Sequence, residues 1–102
     1  MTAKIYNTSG WVVGTDPQKL KNRYSDLLGL SGFDILNFQD YYFKPFGYTA
    51  LWLLGESHLA IHTFPEAGLA YIELSSCNAE YYEYFKANMY SYGFKKHVPE
   101  VE

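Results

Sequence analysis

The densest cluster of reactive side chains runs Glu56-Ser57-His58-Leu59-Ala60-Ile61-His62-Thr63-Phe64-Pro65-Glu66, followed by a lone Cys77. His58 and His62 are four apart, a zinc-chelating spacing on a helix. In a strand the same two residues lie about 13 Å apart at ~3.3 Å per residue, too far to share one ion. Pro65 and the flanking pattern favour a strand, so no metal site is expected. Ser57 or Cys77 as a nucleophile with a histidine base would make a hydrolase. However, no Gly-x-Ser-x-Gly elbow surrounds Ser57, and no motif surrounds Cys77. Taken singly, each group has an ordinary explanation. Ser57 can be a strand serine, His62 a hydrogen-bonded core histidine and Cys77 a small buried hydrophobe. Phe43 can be core, and Glu66 a solvated turn charge.

Held together at fixed spacing, the same residues carry more information. Glu56-Ser57-His58, His62 five residues after the serine, Pro65-Glu66, and Cys77 15 residues after His62 form one set. Upstream stand Phe43-Lys44-Pro45-Phe46-Gly47 and the hydroxyl of Thr49. This pattern, from Phe43 to Asn78, resembles the small prokaryotic S-adenosylmethionine decarboxylases, which are pyruvoyl-dependent.

The resemblance implies a proenzyme that makes its own cofactor. The Ser57 hydroxyl attacks the carbonyl of Glu56, and β-elimination then separates residues 1–56 from 57–102. Ser57 ends as an N-terminal pyruvoyl group. His62 is the base for the elimination, and Thr49 hydrogen-bonds the tetrahedral species. A ketone conjugated to an amide, in Schiff-base linkage to the substrate amine, then acts as the electron sink that no ordinary side chain provides. Cys77 matches the family's proton donor to Cα. Phe43 stacks on the adenine, and Glu66 accepts hydrogen bonds from the ribose hydroxyls. The substrate implied is S-adenosylmethionine and the pathway spermidine synthesis. The assembly implied is a homodimer or higher homo-oligomer of processed protomers.

The chain departs from the family pattern in two places. Gly10-Trp11-Val12-Val13-Gly14 lacks the usual first-strand His and acid, and Glu73 with Ser76-Cys77-Asn78 replaces Asp and Thr-Cys-Gly. These departures leave two alternatives open. One is a pyruvoyl decarboxylase of ornithine or arginine; the other is an uncleaved, non-catalytic homologue acting as a binding or regulatory partner.

The elements that must position these residues follow from punctuation and periodicity. Lys4-Ile5-Tyr6 and Trp11-Val12-Val13 read as short strands or one interrupted strand. Asp16-Pro17 starts a helix, with Asp at the cap and Pro at its first position. Leu20, Tyr24, Leu27 and Leu28 form its apolar stripe, and Gly29 and Gly32 end it. Strands are expected over Phe33 to Phe46, Tyr48 to Leu54 (apolar on both faces, hence central), Glu56 to Phe64 and Leu69 to Ser75. Turns fall at Pro45-Phe46-Gly47 and Pro65-Glu66-Ala67-Gly68. Asn78 caps a second helix lined by Tyr81, Phe85, Met89 and Tyr92. Gly93 stops that helix, and Phe94 to Val98 forms an edge strand ended by Pro99. The order expected is β-α-β-β-β-α-β, an antiparallel sheet with two helices on one face. That is an α+β two-layer sandwich.

Composition bounds the rest. At 102 residues the chain is one domain, and a net charge of −3 without a basic cluster argues against nucleic acid. One Cys excludes an intrachain disulfide framework. The longest apolar run falls far short of the ~20 residues that span a bilayer. With no signal-peptide core after Met1, the expected compartment is cytoplasmic. So small a chain has little surface from which to build a deep pocket, and a site between two copies fits its size.

Overall fold

The computed structural model describes residues 3–90. Its elements are β1 (Tyr6–Val13), α1 (Pro17–Ser31), β2 (Ile35–Tyr42), β3 (Tyr48–Leu54), β4 (Ser57–Phe64), a 3-10 turn (Pro65–Ala67), β5 (Leu69–Ser76) and α2 (Ala79–Asn88). Four strands lie between the helices, matching the four ranges expected there, although the expected order β-α-β-β-β-α-β counts three. The expected Phe94 to Val98 strand, Tyr92 and Gly93 lie outside the described residues.

All five strands form one antiparallel sheet in the order β1-β5-β4-β3-β2. Three hairpins bring β2, β3, β4 and β5 side by side, and β1 closes on β5. β3 is paired on both sides, as its apolar character requires, but the middle strand is β4. The β2 strand is shorter than Phe33 to Phe46. The Phe43 N–H closes a turn onto the Gly47 carbonyl at 2.9 Å, and Gly47 at φ 118° reverses the chain.

The cap of α1 forms as its sequence dictates. Asp16 accepts from the Gln18 and Lys19 N–H groups at 3.0 and 3.2 Å. The helix runs through Gly29 and ends at Gly32, whose φ of 110° and close approach to the Tyr81 ring exclude a side chain. Asn78 caps α2 by accepting from the Tyr81 N–H at 3.0 Å.

Both helices cover the same face of the sheet. Leu20, Tyr24, Leu27 and Leu28 of α1 and Tyr82 and Phe85 of α2 are buried against Ala50, Trp52, Leu59, Ile61, Ile72 and Leu74. Trp52 donates its indole N–H to Ser25 at 3.0 Å, which ties β3 to α1. Among the described residues no layer covers the opposite face. Leu51 and Leu53 stand 48% and 55% exposed there, on the strand expected to be apolar on both sides.

Candidate functional site

The residues of the reactive set gather into two groups at opposite ends of β4. One sits at the hairpin joining β3 to β4, where Leu54 pairs with Ser57 across a two-residue turn. The left-handed residue of that turn is Glu56, at φ 56°, and not the neighbouring Gly55. A non-glycine residue there costs about 1–2 kcal/mol. The Glu56–Ser57 peptide therefore leaves a strained residue. Replacing Glu56 with Gly should raise unfolding stability by roughly 0.5–1 kcal/mol, net of the entropy glycine adds to the unfolded chain. Chemical denaturation of the uncut chain measures this, and a loss of stability would contradict the strain.

Ser57 itself is buried. Its hydroxyl donates to Ser76 Oγ at 3.1 Å, beneath the start of α2. Ser76 Oγ accepts the Asn78 N–H at 3.0 Å and donates to the Asn78 carbonyl at 3.3 Å. On the other side of the turn the exposed Cys77 thiol donates to Glu56 Oε2 at 3.7 Å. Thus Glu56, Ser57 and Cys77 meet in one place, although Cys77 is 20 residues beyond Ser57 in sequence. The antiparallel pairing of β4 with β5 brings them together.

The second group lies at the far end of β4. Thr49 and His62 are cross-strand partners, and Thr49 Oγ1 and His62 Nδ1 are 2.9 Å apart. They border an open cleft of about 290 Å³ whose lining includes Phe43, Phe46, Phe64 and Glu66. The hairpin beneath is pinned by the Tyr48 N–H donating to Thr63 Oγ1 at 2.9 Å. Tyr48 donates its hydroxyl to Asp40 Oδ2 at 2.7 Å. Burial, and then that hydrogen bond, raise its phenol well above the usual tyrosine range, so it stays neutral and keeps donating.

Within one chain the two groups do not touch. Ser57 and His62 are five residues apart on one extended strand, about 16 Å. Side chains alternate along a strand, so an odd separation also sends them to opposite faces. Ser57 turns toward the helices with Leu59 and Ile61, whereas His62 shares the uncovered face with His58 and Ala60. His58 and His62 stand on a strand and cannot chelate one ion as a helical pair. Among the described residues no group of three His, Cys, Asp or Glu could hold a metal. His58 borders a depression with Asn37, Gln39, Leu51 and Leu53. Thr63 carries no motif of its own and Ser76 stands where the family pattern has Thr before Cys; the strand pairing and the contacts of Ser76 reveal their part in the two groups.

Comparison with known proteins points in one direction. The family model described as S-adenosylmethionine decarboxylase matches residues 5–98. S-adenosylmethionine decarboxylase proenzyme 2 of Bacillus cereus is 49% identical over 47 residues, covering 46% of this chain and 38% of the relative. The proenzyme of Brevibacillus brevis is 40% identical over 62 residues, covering 61% of this chain and 47% of the relative. The matched stretch thus spans less than half the length of these relatives. The crystal structure of the adenosylmethionine decarboxylase of Aquifex aeolicus superposes with a TM-score of 0.67. It is 20% identical, and the match covers 100% of this chain and 98% of that one, a likeness of fold.

Proposed function

The chain belongs to the S-adenosylmethionine decarboxylase family, and on that premise we propose that it is a proenzyme that cuts itself between Glu56 and Ser57. In the same reading it decarboxylates S-adenosylmethionine with the pyruvoyl group so formed. The observation that carries this reading is the hairpin: a buried serine follows a strained Glu56, with a thiol on the Glu56 carboxylate.

Self-processing needs only groups the chain supplies. Ser57 Oγ bonds to the Glu56 carbonyl carbon, and the peptide C–N bond breaks to leave an ester and a free amine. Removal of the Ser57 Cα proton expels the Glu56 carboxylate, and water converts the new terminus to pyruvoyl with loss of ammonia. His62 is the base for that proton, and Thr49 orients the imidazole and donates to the oxyanion. The pyruvoyl ketone then supplies an electron sink for the carbon left when CO₂ departs. Cys77, beside the new terminus, returns a proton to that carbon. Phe43 holds the adenine face, and Glu66 accepts from the ribose hydroxyls. Ornithine or arginine would leave Phe43 without an aromatic partner.

The roughly 16 Å between Ser57 and His62 calls for a second copy. The uncovered sheet face, with Leu51, Leu53 and the aromatic rings of Trp11 and Tyr71, is the surface through which two chains would pair. A two-fold axis lying between the sheets and across the strands stacks β4 on the partner's β4 in the opposite direction. The hairpin end of one chain then lies over the cleft end of the other. The cleft, near the lower limit for a small-molecule pocket, is completed in the same way.

The test is an intact mass spectrum of the purified 102-residue chain under denaturing conditions. Two fragments are expected, 1–56 and 57–102, the second lighter by one ammonia than a serine-ended peptide. CO₂ release should follow with S-adenosylmethionine and not with ornithine or arginine. A chain that stays whole after long incubation would leave the non-catalytic homologue as the correct reading.

A further inference from the structure

Ser57 is buried, and its Oγ donates to another serine that is itself 1% exposed. Ser76 is held from both sides by a single residue. It accepts the Asn78 N–H at 3.0 Å and donates its own proton to the Asn78 carbonyl at 3.3 Å. Asn78 is the N-cap of α2, and its carbonyl also accepts the Tyr82 N–H at 3.0 Å. With its proton committed to Asn78, Ser76 can meet Ser57 only as an acceptor. The lone pair that faces Ser57 is fixed by the end of a helix.

Resting on the self-cleavage reading above, we propose that Ser76 is a positioning residue for the acyl shift: it fixes the rotamer of the Ser57 hydroxyl and keeps its oxygen available to the Glu56 carbonyl. A serine side chain has three staggered rotamers, and attack on the preceding carbonyl carbon requires its oxygen on one side of the backbone. The hydrogen bond to Ser76 selects one rotamer in the folded precursor. It also commits the O–H bond to Ser76, so the oxygen lone pairs remain free. In the shift the Oγ–C bond forms, the Glu56–Ser57 C–N bond breaks, and the proton leaving Oγ ends on the departing nitrogen. Ser76 gains and loses nothing in the balance.

The experiment follows the appearance of fragments 1–56 and 57–102 over time on a denaturing gel, so that catalytic turnover plays no part in the readout. Ser76→Ala should cut about tenfold more slowly, the loss expected when one ordering hydrogen bond is removed. Ser76→Thr, which keeps the hydroxyl, should cut at close to the wild-type rate. Each change is also made in a Ser57→Ala background, where thermal melts report stability alone, and rates are compared at a temperature where every variant is folded. If Ser76→Ala unfolds, Ser76→Cys replaces it, since a thiol nearly fills the same space but accepts poorly. Slow cutting by Ala or Cys with rescue by Thr supports the assignment. Equal rates for all variants, with the wild type cut, overturn it and leave the self-cleavage reading intact. An uncut wild-type chain overturns that reading and this one with it.

Discussion

A Ser57→Ala chain is expected to remain a single 102-residue species and to release no CO₂ from S-adenosylmethionine. Alanine has no oxygen to attack the Glu56 carbonyl, so the ester cannot form and the Cα proton has no leaving group opposite it. Without a ketone at position 57, nothing delocalises charge at the reacting carbon. The loss should be on the order of 10⁶-fold or more, the lower range of enzymatic acceleration. Misfolding does not account for such a result. The substitution removes one hydrogen bond from a buried pair, while Ser76 keeps both of its contacts to Asn78. The stability cost is about 0.5–1.5 kcal/mol, and thermal melts should show a cooperative transition slightly below that of an uncut control. Cleavage at the same bond in the alanine variant would sink the mechanism outright. Cys77→Ala separates the two proposed stages, since the thiol is assigned a role only after the cut. Fragments should still appear while turnover falls; normal turnover would remove Cys77 from its role.

Much of this architecture was legible because local chemistry and the final fold agree. Asp16-Pro17 and Asn78 cap the helices that follow them, and Gly32 ends α1 where both backbone and space demand glycine. Turns at Gly47 and Gly68 separate strands whose alternation then sets the register. What spacing could not reveal is partnership across the sheet. In the sequence Ser76 is no more than the residue that replaces Thr before Cys77; its contact to Ser57 emerges when β5 is laid beside β4, and Cys77 reaches Glu56 through the same pairing. The hairpin strain was equally hidden, because Gly55 stands beside Glu56 and would be the natural choice for the left-handed position. One clue was available in the residue numbers. An odd separation on a strand puts two side chains on opposite faces, so Ser57 and His62 could not have met within one chain.

That separation leads to the second large effect. Ser57→Ala and His62→Ala chains should each stay mostly uncut alone, the latter slowed by about 10²–10⁴-fold through loss of its base. Made together in one cell, or unfolded and refolded as a mixture, they should complement. In a mixed pair the Ser57→Ala chain contributes an intact His62 beside Thr49, and the His62→Ala chain contributes an intact Ser57 behind Glu56. One of the two composite sites then has every group it needs, and the other has neither serine nor histidine. Only the His62→Ala chain should be cut. With random two-fold pairing at equal amounts, about half of those chains should be processed. A size tag on one variant identifies which chain yields fragments, and affinity capture through the tag verifies that mixed pairs formed. Mixed pairs without cleavage would mean that Ser57 is served by a base of its own chain, against the roughly 16 Å that β4 imposes. Cleavage confined to the His62→Ala chain would leave a shared site as the only arrangement in which both residues act.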